Sequence, residues 1–192
     1  LKLQNLQKYG FNRINEDKPT WNFIGFFDDN DSLKNKMISH FGKCLGGIDA
    51  LNQYNRDLCI AVAIGNPKIT KLIVGKIDNP NISYPNLIHP TTKCVDEQTF
   101  EIGMGNIVQG SCAFSCDVKI GDFNILNGSI VFGHDDRIGS FNTFMPAVRV
   151  SGEVTMGDGN FFGVGSIVLQ QLKIGDGIRL GAGSVLMTKP KD

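Results

Sequence analysis

From Ile102 to Leu186 every sixth residue is apolar: Ile102, Val108, Phe114, Ile120, Leu126, Phe132, Ile138, Phe144, Val150, Met156, Phe162, Val168, Ile174, Leu180 and Leu186. In a chain that is 41% apolar, fifteen such hits in succession arise by chance roughly once in a million trials. A helix would repeat at 3.6 residues and a half-buried strand at 2, so a strict period of six predicts neither. Hexads mark a β-helix, in which short parallel strands coil around a core and each coil covers its neighbour. A second period of eighteen makes the coil three hexads long, a triangular prism with one hexad to a side. Ile102-Gly103, Ile120-Gly121, Ile138-Gly139, Met156-Gly157 and Ile174-Gly175 repeat at that spacing. Asn106, Asn124, Asn142 and Asn160 form an asparagine column in the same register, which ends at Ile178. Gly and Asn are expected at the corners, because positive φ costs them little.

Ahead of the hexads the pattern changes. Leu1 to Gly10 predicts a helix, Trp21 to Phe27 a strand ending at Asp28-Asp29, and the polar Ser32 to Phe41 a loop with some helix. Asp57 to Ile64 is an apolar run after its leading Asp, the mark of a buried parallel strand. Gly65-Asn66-Pro67 then predicts a turn, and Lys68 to Ile77 the next helix. Strand alternating with helix predicts a small Rossmann-like α/β unit. Tyr84 to Pro90, framed by two prolines, is the junction, which divides the chain into an α/β unit over 1–90 and a β-helix over 91–192.

Three stretches carry a resemblance to a known family. They are Asn127-Gly128-Ser129-Ile130-Val131-Phe132-Gly133-His134-Asp135, then Gly152-Glu153-Val154, then Ile174-Gly175-Asp176-Gly177 leading to Gly181-Ala182-Gly183-Ser184-Val185. The chain resembles the bacterial hexapeptide-repeat acyltransferases, and within them the sialic acid O-acetyltransferases and UDP-amino-sugar N-acetyltransferases. The resemblance implies a left-handed parallel β-helix, the hand coming from the family because right-handed crossovers are the general rule. It also implies acetyl-CoA as cosubstrate, direct transfer in a ternary complex, and a homotrimer with acetyl-CoA between neighbouring prisms. Members of the subgroup open with a strand and a Gly-rich turn that holds nucleotide-sugar phosphates, and end in a short tail with a Pro-Ala element. Neither is found here, so both ends read as clipped.

His134 is the candidate general base. Acyl transfer from a thioester needs a group to take the acceptor's proton, and imidazole fits near neutral pH. Asp135 is its expected electrostatic helper, with Asp136 the competing carboxylate. Cys116, His134, Gly152 and Gln170 lie eighteen apart and so form one column. Gly152 is expected to leave a gap through which the thioester reaches His134. Cys116 reads as a small packing residue rather than a nucleophile. The resemblance further implies Asn127 near the acceptor, and Gly152, Val164 and Ala182 along the acetyl-CoA groove. It places a uracil or sugar ring at the strand ends marked by Asp28, Asp29, Gly65 and Asn66, where a helix cap or plain turn is the competing reading. Some members carry a second His nine residues beyond the base, where this chain has Thr143.

Composition narrows the partners. Nineteen basic and nineteen acidic residues cancel, with no basic cluster, which argues against nucleic acid or an anionic membrane. Five cysteines at irregular spacings predict a reducing compartment rather than a disulfide framework. With no long apolar run and no signal peptide, the chain reads as cytoplasmic. Two of the three histidines, His40 and His89, precede the β-helix, so a three-His zinc site is not expected, nor any other metal. The expected activity is acetyl transfer from acetyl-CoA to the amine of a UDP-linked amino sugar. The alternatives are O-acetylation of a sugar or sialic acid, and a non-catalytic scaffold or sugar-nucleotide-binding module.

Overall fold

The computed structural model describes residues 22–188, so the helix expected over Leu1–Gly10, the leading Trp21 and the tail Lys189–Asp192 lie outside the described residues. Over most of its length the chain is a parallel β-solenoid with three faces. The first face stacks Leu87–Ile88, Ile107–Val108, Ile125–Leu126, Thr143–Phe144, Phe161–Phe162 and Arg179–Leu180. The second stacks Lys93–Cys94, Ala113–Phe114, Val131–Phe132, Arg149–Val150, Ile167–Val168 and Val185–Leu186. The third stacks Glu101–Ile102, Lys119–Ile120, Arg137–Ile138, Thr155–Met156 and Lys173–Ile174.

Each hexad spends two residues on strand and four on a corner, and the second strand residue is the inward one. These inward residues are buried from Val108 to Ile174, and half-buried at Ile102, Leu180 and Leu186 near the ends of the stack. Identical positions meet across coils, so rings stack: Phe114 on Phe132 at 5.6 Å and Phe144 on Phe162 at 4.9 Å between centroids. The first coil is longer. Ile88 pairs with Val108 and Cys94 with Phe114, twenty residues apart instead of eighteen. The two extra residues fall between Cys94 and Ile102, where the Asp96 carboxylate accepts from Gln98 N–H and the Thr99 hydroxyl. The solenoid therefore starts at Leu87, before residue 91.

The corners correct one expectation. Every sixth residue from Gly105 to Gly183 has a φ between 52° and 69°, yet none is Asn and most are not Gly. Ser111, Asp117, Phe123, Ser129, Asp135, Phe141, Ala147, Glu153 and Gln171 all take the left-handed conformation, held there by the coil-to-coil hydrogen bonds on either side. The Asn column does different work. Asn106, Asn124, Asn142 and Asn160 are fully buried. Each Oδ1 accepts the backbone N–H eighteen residues on, at 2.7–2.8 Å, up to Ile178. Asn86 adds a first rung below them, accepting from Asn106 N–H at 2.9 Å. The Ile-Gly glycines answer to space, not φ. A Cβ on Gly121 would lie 2.6 Å from Ser140 Oγ and 2.9 Å from the Gly139 backbone, whereas Gly175, near the end of the stack, has nothing within 4 Å.

The N-terminal unit is a small α/β layer. Strand β1 (Met37–Ile38) runs antiparallel to β2 (Gly42–Lys43), followed by helix α1 (Ile48–Asn52). Strand β3 (Leu58–Cys59), helix α2 (Pro67–Val74) and β4 (Ile82–Ser83) make a parallel βαβ crossover. Leu51, Leu58, Cys59, Ile60 and Val62 form its core, which confirms the buried apolar run. The strand expected to reach Phe27 is reduced, within the described residues, to one parallel bridge between Phe26 and Cys44. The stretch expected to be loop with some helix holds a 3₁₀ turn, Asp31–Leu33, and the β1 strand of a hairpin. The unit docks on the corner between the third and first faces. Tyr84 meets Phe123 edge-on at 4.9 Å, Phe123 stacks on Phe141 at 5.3 Å, and Lys71 Nζ lies 5.6 Å from the Phe141 ring centre.

Candidate active site

The corner between the second and third faces carries the titratable cluster. Neighbouring side chains on an ordinary strand point to opposite sides. Asp135, however, has a φ of 59°, and that turn lets it project beside His134. His134 Nδ1 and Asp135 Oδ2 are 2.7 Å apart, with both side chains about half exposed. This hydrogen bond, opposed by partial desolvation and helped by the charges of Asp135, Glu153 and Asp136, raises the imidazole above its ordinary pKa. With Nδ1–H donating to the carboxylate, the lone pair lies on Nε2, as a base requires.

The predicted column exists. Asp135 N–H bonds to Cys116 O, Glu153 N–H to His134 O at 2.7 Å, and Gln171 N–H to Gly152 O. The gap expected at Gly152 is filled by the imidazole itself. A Cβ on Gly152 would lie 2.7 Å from His134 Nε2 and 2.9 Å from Cδ2 and Cε1. Gly152 thus seats the ring, and the space beside it is not a free passage.

Asp135, not Asp136, is the carboxylate that meets the imidazole. Asp136 is fully buried and its Oδ1 accepts Val154 N–H at 2.9 Å. Burial pushes its carboxyl up to about 7. Sequence reasoning weighed Asp136 only as a rival to Asp135. The signal that marks it is its column, where Val118 and Val154 flank one acidic residue. Below it, Arg137 pairs with the Asp117 carboxylate and holds it below the usual range. Cys116 is exposed, and the five cysteines form no disulfide.

Asn127, Val164 and Ala182 lie on a different edge, between the first and second faces. Asn127 Nδ2 donates to Phe144 O at 2.8 Å and its Oδ1 accepts from Gln109. Val164 and Ala182 are exposed and stacked one coil apart, with Val164 O accepting Gly183 N–H at 2.8 Å. The second face therefore separates this group from His134 and Gly152 within one chain. Thr143 is buried on the first face.

In the N-terminal unit, Asp28 and Asp29 line a cavity of about 470 Å³ with Phe27, Ile48, Ile60 and Val62. Their carboxylates also serve the backbone. Asp28 accepts from Asn30 N–H, and Asp29 accepts Ile48 N–H at 2.8 Å at the start of α1. Asn66 caps α2 through Lys68 and Ile69 N–H, and Gly65 faces open space. Neither Gly65 nor Asn66 lines that cavity. Among the described residues no cluster of His, Cys, Asp or Glu is placed to hold a metal, and no helix is long and apolar enough to cross a membrane.

Known proteins share this architecture. Residues 12–77 match the family described as the PglD N-terminal domain. The acetyltransferase domain of PglB from Neisseria gonorrhoeae FA1090 is 26% identical, with a TM-score of 0.78 over 90% of this chain and 82% of that one. A second structure of that domain, in complex with acetyl coenzyme A, gives a TM-score of 0.79 at the same identity and coverage. PerB from Caulobacter crescentus, in complex with CoA and GDP-perosamine, is 29% identical, with a TM-score of 0.74 over 81% of this chain and 75% of that one. The chain has the two-part architecture of these hexapeptide-repeat acetyltransferases. WeeI from Acinetobacter baumannii AYE, at 23% identity and a TM-score of 0.76 over 86% of this chain and 78% of that one, shares the fold. Comparison with curated proteins gives no match. In this chain the solenoid supplies the His134 corner, and the matched N-terminal domain supplies the separate cavity at Asp28 and Asp29.

Proposed function

We propose that this chain is an acetyltransferase that moves the acetyl group of acetyl-CoA to the amine of a nucleotide-linked amino sugar, with His134 as general base. The observation that carries the reading is the 2.7 Å contact between His134 Nδ1 and Asp135 Oδ2, which in the neutral ring places the lone pair on Nε2 of a half-exposed side chain. In the reaction, Nε2 takes a proton from the attacking amine as its nitrogen bonds to the acetyl carbonyl carbon. The C–S bond then breaks, and CoA leaves as the thiol once it has regained a proton. Asp135 stabilises the imidazolium formed in between. Transfer is direct, with no acyl-enzyme on Cys116.

Acetyl-CoA would lie along the edge holding Val164 and Ala182. Val164 exposes apolar surface there, Val185 continues it onto the second face, and Gly165 and Gly183 leave open space beside them. Because that edge and the His134 edge flank opposite sides of the second face, one groove joins them only between two copies of the chain. A homotrimer of prisms supplies this, and the outward Ala113, Val131 and Ile167 of the second face suit such contacts. The N-terminal domain, which ends before Leu87, would hold the nucleotide-sugar at the Asp28–Asp29 cavity. PerB, solved with GDP-perosamine, supports a nucleotide-linked amino sugar as acceptor, with a UDP-sugar the first to test.

The test is thiol release from acetyl-CoA with a panel of UDP- and GDP-linked amino sugars and free sialic acid. Turnover with an amino sugar that falls about a hundredfold or more in His134→Ala is the expected result. Turnover only with a hydroxyl acceptor would assign O-acetylation, and full activity in His134→Ala would overturn the base.

A further inference from the structure

We infer that Asp136 is a positioning residue for His134, holding the turn over the imidazole through its hydrogen bond with Val154 N–H. This rests on the reading of His134 as base. Asp136 points into the prism wall and is fully buried, as are Val118 below it and Val154 above it. An apolar side chain is therefore what this column otherwise takes, and a buried carboxylate there is expensive. Its Oδ2 has no hydrogen-bond partner, so the group is not present to complete a polar network. Across the coils its Oδ1 accepts Val154 N–H, 2.9 Å, eighteen residues on.

The same bond is made by every rung of the Asn ladder at the neighbouring corner, where Asn124 Oδ1 accepts Asn142 N–H at 2.8 Å. In its own column at the His134 corner Asp136 is the side-chain acceptor of this kind, while one level lower the neighbouring column has Thr99 Oγ1 accepting Asp117 N–H at 2.8 Å. Val118 and Val154 offer none to the coils above them. The turn so fixed is the one that contacts the catalytic ring. Val154 follows Glu153, whose N–H bonds to His134 O, and Gly152, whose Cα face lies against the imidazole. Three bonds thus tie residues 152–154 to the coil below: Glu153 N–H to His134 O, Val154 N–H to Asp136 Oδ1, and Arg137 N–H to Val154 O. Without the second, the turn can rise and the ring lose its seat, while the core remains packed.

The experiment compares Asp136→Val, the residue of the flanking levels, with Asp136→Asn, which keeps the acceptor. Both are made in the full chain, and Asp136→Cys replaces the Val variant if it misfolds, since Cys112 fills the equivalent place at another corner. Two readouts are taken: kcat and KM for acetyl-CoA, and the nuclear Overhauser contact between the His134 ring and Gly152 Hα. His134→Ala assigns the ring signal among the three histidines. Asp136→Val is expected to lose the contact and about tenfold or more in kcat, with KM for acetyl-CoA within about twofold. Asp136→Asn should retain the contact and stay within about threefold of wild-type kcat, because the acceptor oxygen remains. Wild-type kcat in Asp136→Val would overturn the inference, as would an Asn variant impaired as much as the Val variant. If His134→Ala retained turnover, the base reading would fall, yet the ring contact would still decide whether Asp136 seats the imidazole.

Discussion

Replacing Gly152 by Ala adds one methyl group at the point of contact with the imidazole. The new Cβ would lie 2.7 Å from His134 Nε2 and 2.9 Å from two ring carbons, well inside van der Waals contact. The obstacle is a half-exposed side chain, so the ring can turn away at a cost of about 1 kcal/mol or less. Stability should barely change. Turning the ring breaks its alignment with Asp135 and removes Nε2 from the attacking amine, for which a loss of about 10- to 100-fold in kcat is expected. Gly133→Ala is the control. Its Cβ would meet the backbone of the next coil, 2.6 Å from Ser151 C and 2.7 Å from Gly152 Cα, and backbone cannot swing aside. That variant should lose about 1–3 kcal/mol or more of stability through overpacking. Thiol release and thermal melting, measured on both, separate the two effects. A Gly152→Ala variant with wild-type kcat would refute the claim that this glycine seats the His134 ring for the proposed reaction.

Asp135→Asn removes the charge that raises the His134 pKa, so the acidic limb of the kcat/KM–pH profile should move to lower pH. The sign follows because the base acts only when neutral, and an unassisted imidazole loses its proton sooner as pH rises. A limb that stays put would dissociate the two residues. Asn124→Ala would strip a buried rung that accepts Asn142 N–H and donates to Asn106 Oδ1 and Gly139 O. Orphaning these groups should cost about 2–5 kcal/mol in a denaturant titration, with activity per folded molecule retained.

The hexads fixed the solenoid because each side of every coil must turn the same strand position into the prism core, a constraint local enough to be written in the period. The same arithmetic placed Cys116, His134 and Gly152 in one column. It was misleading about glycine and asparagine. Period alone cannot tell a residue chosen for φ from one chosen for space or for a side-chain hydrogen bond, and here the left-handed corner positions are filled mostly by other residues. The short elements before Leu87 were legible only where an apolar run or a cap such as Asn66 stood out, because two-residue strands carry almost no pattern. Asn86 escaped notice as a rung because the first coil is two residues longer than the rest. What the tertiary structure decided is which neighbours meet. The left-handed turn at Asp135 brings its carboxylate to His134 while Asp136, the next residue, turns into the wall. Gly152, eighteen positions away in sequence, lies against the imidazole. Those contacts depend on coil spacing and corner geometry in three dimensions, and no ordering of residues along the chain contains them.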